Sequence, residues 1–170
     1  MTTLNTVAKE QLCPLVTLLR DAPKPIPYDE FPALFERLGW VKDRKRGGKS
    51  NYDINLPMAS VGQQRGEISR LSARVSDTIA EEGPASRAAV KEVFPEVTRS
   101  ISECIGYEPT GTPLHYEGMD WDLEDGSLIR LIPADDVIEF MFMSKDIADN
   151  ERFERQYGIN LDDELERPQE

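Results

Sequence analysis

The chain has 170 residues, 39% hydrophobic and 31% charged, with a net charge of −12. That length suits a single domain with a buried core. No run nears the ~18 apolar residues of a membrane span, and the opening Met1-Thr2-Thr3-Leu4-Asn5 lacks the basic-then-apolar pattern of a signal peptide, so none is expected. The acidity is uneven. Residues 117–170 hold 17 Asp/Glu against five Lys/Arg, whereas residues 1–116 hold 15 of each. Such a field repels nucleic acid and anionic lipid and attracts basic surfaces. The two cysteines, Cys13 and Cys104, give no disulfide framework and lie in apolar, helix-like surroundings. They read as reduced core thiols, with the cytoplasm as the compartment.

Residues 7–21 read as a helix with Leu12, Leu15, Val16 and Leu19 on one face. Pro14 is tolerated only near a first turn, so the regular helix is expected to begin close to Cys13. The proline-rich segment 22–27 is a stiff connection. A second helix is predicted from about 29 to 38, with Phe31, Leu34, Phe35 and Leu38 as its stripe and Gly39 as its stop, and Trp40 follows as a core anchor. Residues 42–49 hold five cations and two glycines, a flexible basic loop. A nucleic-acid footprint is one reading of it. A solvated hairpin or connection is favoured, because the loop has no aromatic for base stacking and the far end of the chain repels phosphate.

Residues 51–56 alternate through Tyr52, Ile54 and Leu56, and residues 67–76 through Leu71, Ala73 and Val75. These predict two paired strands joined by a polar turn around Gly62–Gly66. The strongest helical pattern runs over 84–105 and ends at Gly106. Its apolar register continues across Pro95, so a kink is expected there rather than two helices. Three strands should follow. Leu114 and Tyr116 share a face; after Gly118 the phase shifts to Met119, Trp121 and Leu123, as at a bulge. Leu128–Ile132 and Val137–Met143 come next, the last nearly apolar on both faces and therefore central or beneath a helix. A short helix is predicted over 146–157 and an acidic, fraying tail beyond it. The domain is then 1–158, with 159–170 as tail. The order ααββαβββ makes an α+β fold, a largely antiparallel sheet of about five strands with helices packed on one face.

Catalytic signals are few. His115, the single histidine, reads as a strand surface residue. One histidine and two cysteines 91 positions apart supply no zinc motif, and there is no P-loop, no dinucleotide fingerprint and no nucleophile elbow. Asp120–Gly126 opens like a calcium loop but places Asp125 where glycine is required and Leu131 where a bidentate glutamate is required. No cofactor and no metal are expected. An enzyme using a carboxylate pair at Asp120 and Asp122 is the least favoured reading, since Asp120, Asp122 and Glu124 alternate with apolar partners as a solvent face does.

That alternation suggests an acidic ridge. Asp120, Asp122 and Glu124 project to one side, Asp125, Asp135 and Asp136 lie in adjoining turns, Glu139 interrupts the last strand, and Tyr116 and Trp121 lie nearby. Such a ridge suits docking of a basic protein. Leu38-Gly39-Trp40, the helix ending Ile105-Gly106-Tyr107-Glu108-Pro109, Trp121-Asp122-Leu123 and the two apolar strands extend the pattern. Over residues 30–143 the chain is similar to small uncharacterised actinobacterial proteins encoded near secreted polymorphic toxins, some of which look like immunity proteins. The resemblance implies a cytoplasmic, non-enzymatic protein that binds and neutralises a cognate toxin. A nuclease or NAD-degrading toxin would suit, because both have sites shaped for phosphate. The alternative is a small acidic secretion chaperone, a dimer that holds a secreted protein. The expected partner is a basic protein, with neither nucleic acid nor membrane involved; monomer and dimer stay open.

Overall fold

A computed structural model describes residues 3–158; the tail expected over 159–170 lies outside the described residues. The chain runs α1 (Lys9–Asp21), a 3-10 turn (Tyr28–Glu30), α2 (Phe31–Leu38), β1 (Val41–Arg44), β2 (Gly47–Lys49), β3 (Met58–Gln64), β4 (Glu67–Arg74), α3 (Pro84–Ile105), β5 (Met119–Asp122), β6 (Leu128–Pro133), β7 (Ile138–Met143) and α4 (Lys145–Tyr157). The strands form one antiparallel sheet in the order β1-β2-β3-β4-β7-β6-β5. The α+β class and antiparallel pairing are as the sequence indicates, with seven strands rather than about five.

The alternation of each strand sorts its side chains between two faces. On the inner face, Ala59, Val61, Leu71, Ala73, Ile129, Leu131, Phe140 and Phe142 pack with Leu12, Leu15 and Leu19 of α1, Phe31 and Phe35 of α2, and Val90, Val97 and Ile101 of α3. Each fully buried aliphatic side chain here contributes about 1.5–3 kcal/mol. On the outer face Leu128 and Met143 meet Ala148 of α4, with Met141 and Ile147 beside them. The last helix therefore lies on the opposite side of the sheet from α1 and α3, so the helices cover both faces and not the one face expected, because Leu128, Arg130 and Met143 turn outward and need a cover of their own. β7, the nearly apolar strand, sits between β4 and β6 with a helix layer against each face.

Three local expectations change, and the hairpin favoured for 42–49 is present. Residues 51–56 are not a strand. Tyr52 is buried by an edge contact with Trp40, at the end of an aromatic row through Tyr28, Phe31 and Phe35. Tyr52 N–H donates to the Ser50 hydroxyl, Asn5 donates to the Asp53 carbonyl and Asp77 accepts the N–H of Asn55, so side chains rather than a ladder serve this backbone, while the Asn55 side chain in turn bonds both the N–H and the C=O of Thr78. Residues 114–116 are likewise held by side chains, with Leu114 N–H donating to Glu151 of α4. The basic loop at 42–49 is an ordered hairpin, β1–β2. Its glycines are needed for close approach: a Cβ on Gly48 would stand 1.9 Å from the carbonyl oxygen of Val41. The first helix begins at Lys9 and holds Pro14 in its interior.

Cys13 and Cys104 form a disulfide joining α1 to α3 across a sequence separation of 91. This corrects the reading of two reduced thiols and removes the cysteine argument for the cytoplasm. Cross-linking so long a loop restricts the unfolded chain. The Cys13→Ser/Cys104→Ser variant is expected to lose about 2–4 kcal/mol of unfolding free energy in denaturant titration, and the unreduced, unfolded chain is expected to show no free thiol.

Candidate partner-binding site

The β5–β6 hairpin turns at Asp125–Gly126, and its register places Asp120 directly opposite Arg130. Both point to the outer face, where α4 crosses. Arg130 is 2% exposed and Asp120 6%. The pair is bidentate: Arg130 Nε donates to Asp120 Oδ1 at 2.7 Å and Nη2 to Oδ2 at 2.9 Å. Nη2 also reaches Glu151 of α4 at 2.9 Å, and Nη1 donates to the Tyr116 hydroxyl at 2.8 Å. Burial works against the charge on Arg130, but the hydrogen bonds to Asp120 and Glu151 prevail and raise its pKa above the ordinary arginine value.

A second set of pairs extends this arrangement. Arg152 Nη2 reaches Asp122 at 2.8 Å, and its Nη1 reaches Asp149 at 2.8 Å and the Gly126 carbonyl at 2.7 Å. Thr110 Oγ1 donates to the other oxygen of Asp122. Arg155 donates to the Thr112 carbonyl and lies 3.5 Å from Glu151. Asp125 accepts from Lys24 at 2.6 Å and from the hydroxyl and N–H of Ser127. Burial raises the carboxyls of Asp122, Asp125, Asp149 and Glu151, yet their donors outweigh it and hold all four below the usual range. Thr110, Thr112, Asp120, Asp122, Arg130 and Glu151 line an open cleft of about 300 Å³ together with Arg152 and Arg155. Its three guanidinium groups balance its three carboxylates. The pairs Arg130–Glu151 and Arg152–Asp122 link α4 to β6 and β5 across it.

The anticipated ridge is thus divided. Tyr116, Asp120 and Asp122 come together, but inside the arginine network. Trp121 points the other way; it is fully buried and donates to Ser102 of α3 at 3.2 Å. Glu124 and Asp125 lie in the β5–β6 turn, while Asp135 and Asp136 lie in the β6–β7 turn at the other end of β6. Over the length of β6 that is about 20 Å. Glu139 stands on the outer face, opposite Ile132 and Arg74. Lys24, Arg130, Glu151, Arg152 and Arg155 are the residues that sequence reasoning missed. For Arg130 a signal existed: it is the lone charge in an apolar strand, and a turn centred on Asp125 pairs it with Asp120.

Among the described residues no group of three or more His, Cys, Asp or Glu is arranged to hold a metal ion, and no helix is long and apolar enough to cross a membrane. A model described as a family of unknown function (DUF6301) matches residues 10–144. The chain belongs to this family. The DUF6301 match takes in Asp120 and Arg130 and stops where α4 begins. No curated protein and no solved structure matches the chain.

Two outcomes are expected. Arg130→Met strands Asp120 in a buried site and should destabilise by about 3–5 kcal/mol, whereas adding Asp120→Leu should restore part of that loss in denaturant titration. A carboxylate held below its unfolded value contributes stability above about pH 4 and loses it as pH falls through the folded value. The melting temperature should be level from neutral pH to about 5 and fall below about 4; a level profile to about pH 2 would show that these pairs add nothing.

Proposed function

We propose that this protein is a non-enzymatic binding protein, an immunity protein that neutralises a cognate toxin through a basic surface of that toxin. One observation carries the reading. Residues 117–158 hold twelve carboxylates and four cations. All four cations, Arg130, Lys145, Arg152 and Arg155, are engaged by carboxylates of the same segment. Glu124, Asp135, Asp136, Glu139 and Asp146 have no cation partner among the described residues, and none of the five is buried. The network fixes the frame, and these five groups are presented on it.

They fall into two clusters, Glu124 with Asp146 at one end of β6 and Asp135 with Asp136 and Glu139 toward the other. A basic partner spanning both would be steered by long-range attraction and oriented by the spacing. A nuclease or NAD-degrading domain, whose site is built for phosphate, has that chemistry. The compartment bears on the same reading: neutralising a toxin before its export needs the cytoplasm, while the Cys13–Cys104 bond persists in an oxidising environment.

Co-expression with the cognate toxin domain, sought first among the products of neighbouring genes, is expected to rescue growth and yield a co-purifying complex. Reversing Glu124, Asp135, Asp136 and Glu139 to Lys should slow association by about tenfold or more at low salt and by less at high salt. Cell death despite good expression of the folded protein would overturn the pairing. Unchanged association after all four reversals would overturn the role of these carboxylates.

A further inference from the structure

We propose that the hairpin β1–β2 is a second docking site, where an extended acidic segment of another protein adds to β1 as an outer strand. The two edges of the sheet differ. At β5 the edge is closed, because Thr110 and Gly111 donate to the Asp120 carbonyl at 2.7 and 3.3 Å and Asp120 N–H donates to Gly111 at 2.9 Å. At β1 no described strand or bridge lies on the outer side, and all four residues are exposed. An edge strand presents unpaired backbone N–H and C=O groups that a further strand can satisfy.

The edge is also firmly built. A Cβ on Gly47 would stand 2.3 Å from the Ala59 carbonyl oxygen, so β2 lies tight against β3, as it does against β1 at Gly48. Lys42 is braced on the inner side, its ammonium 5.8 Å from the Phe31 ring. Val41 is 63% exposed on the other side. Residues 42–49 carry five cations and one carboxylate, Asp43, in a chain of net charge −12. Asp43 is taken by Arg44 at 3.0 Å, and Lys42, Lys45, Arg46 and Lys49 have no ion pair among the described residues.

These features select the occupant. A second copy would bring the same surplus of positive charge against the first, which is how charged edges prevent self-pairing. A nucleic acid would need stacking surfaces, and the neighbouring rings of Phe31, Trp40 and Tyr52 are buried. An extended segment carrying Asp or Glu beside an apolar residue answers each feature: its carboxylates meet the unpaired cations of the hairpin, Lys42 first, its apolar residue opposes Val41, and its backbone pairs with β1 up to the irregularity between Lys42 and Arg44. This site is independent of the acidic surface above, and either can fail alone.

The test uses the full isotope-labelled chain titrated with a capped peptide of about eight residues alternating Glu and Val. Amide shifts confined to residues 41–49 are expected. Methylating alternate peptide nitrogens, so that no ladder forms, should weaken binding about tenfold or more, and so should Lys42→Glu/Arg44→Glu. Equal binding by the methylated peptide, shifts centred elsewhere, no shift at millimolar peptide, or preference for a short oligouridylate would overturn the proposal. Should the double variant fail to fold, the two peptides on the unaltered chain still decide.

Discussion

A guanidinium taken out of water must find acceptors for its N–H groups, and Arg130 finds them in three separate stretches of chain. Asp120 faces it from β5, Tyr116 from the preceding loop and Glu151 from α4. Asp120 neutralises the charge, while Tyr116 and Glu151 satisfy the remaining N–H groups, so one buried side chain ties together the hairpin register, the loop through Tyr116 and the seat of the last helix. Little apolar contact supports α4: Ala148 is its one buried residue, packed near Leu128 and Met143. Its position on the outer face is therefore set largely by polar geometry. That is also why the cleft at this point is a joint between elements, with every charge in it answered.

Where burial dominates, the sequence was legible. The helix over 84–105 was read to its ends because its apolar spacing, Pro84 and Gly106 agree. The strands at 128–133 and 138–143 were evident from apolar runs divided by a turn. The misreadings share a cause. Residues 51–56 and 114–116 alternate as strands do, but side-chain hydrogen bonds from Asn5, Ser50, Asp77 and Glu151 serve their backbones. Periodicity reports which side chains turn inward; it does not report which partner the peptide groups choose. The disulfide was hidden for a different reason, since a separation of 91 leaves no spacing signal and only the packing of α1 on α3 brings the sulfurs together.

The candidate site shows how far a charge count departs from a surface. Seventeen carboxylates crowd the last third of the chain, yet Asp120, Asp122, Asp125, Asp149 and Glu151 are spent within the fold. Alternation correctly put Asp120 and Asp122 on one side, but it could not tell water from a helix bearing arginines. Conversely, the basic stretch at 42–49, for which a hairpin is the favoured reading, is an ordered strand pair whose cations remain mostly unanswered. Opposite charge is thus displayed on different parts of one sheet.

The closure of β5 by Gly111 gives the sheet a direction. Strands can be gained on one side only. If two molecules did meet through their free sides, the joined sheet would present a sealed border at both ends and growth would terminate there. Fibre formation by edge pairing needs two adhesive borders per molecule, so that each arrival creates the next landing place. A short two-residue contact at the rim of β5 therefore limits growth by edge pairing to finite assemblies, whatever happens at the other rim.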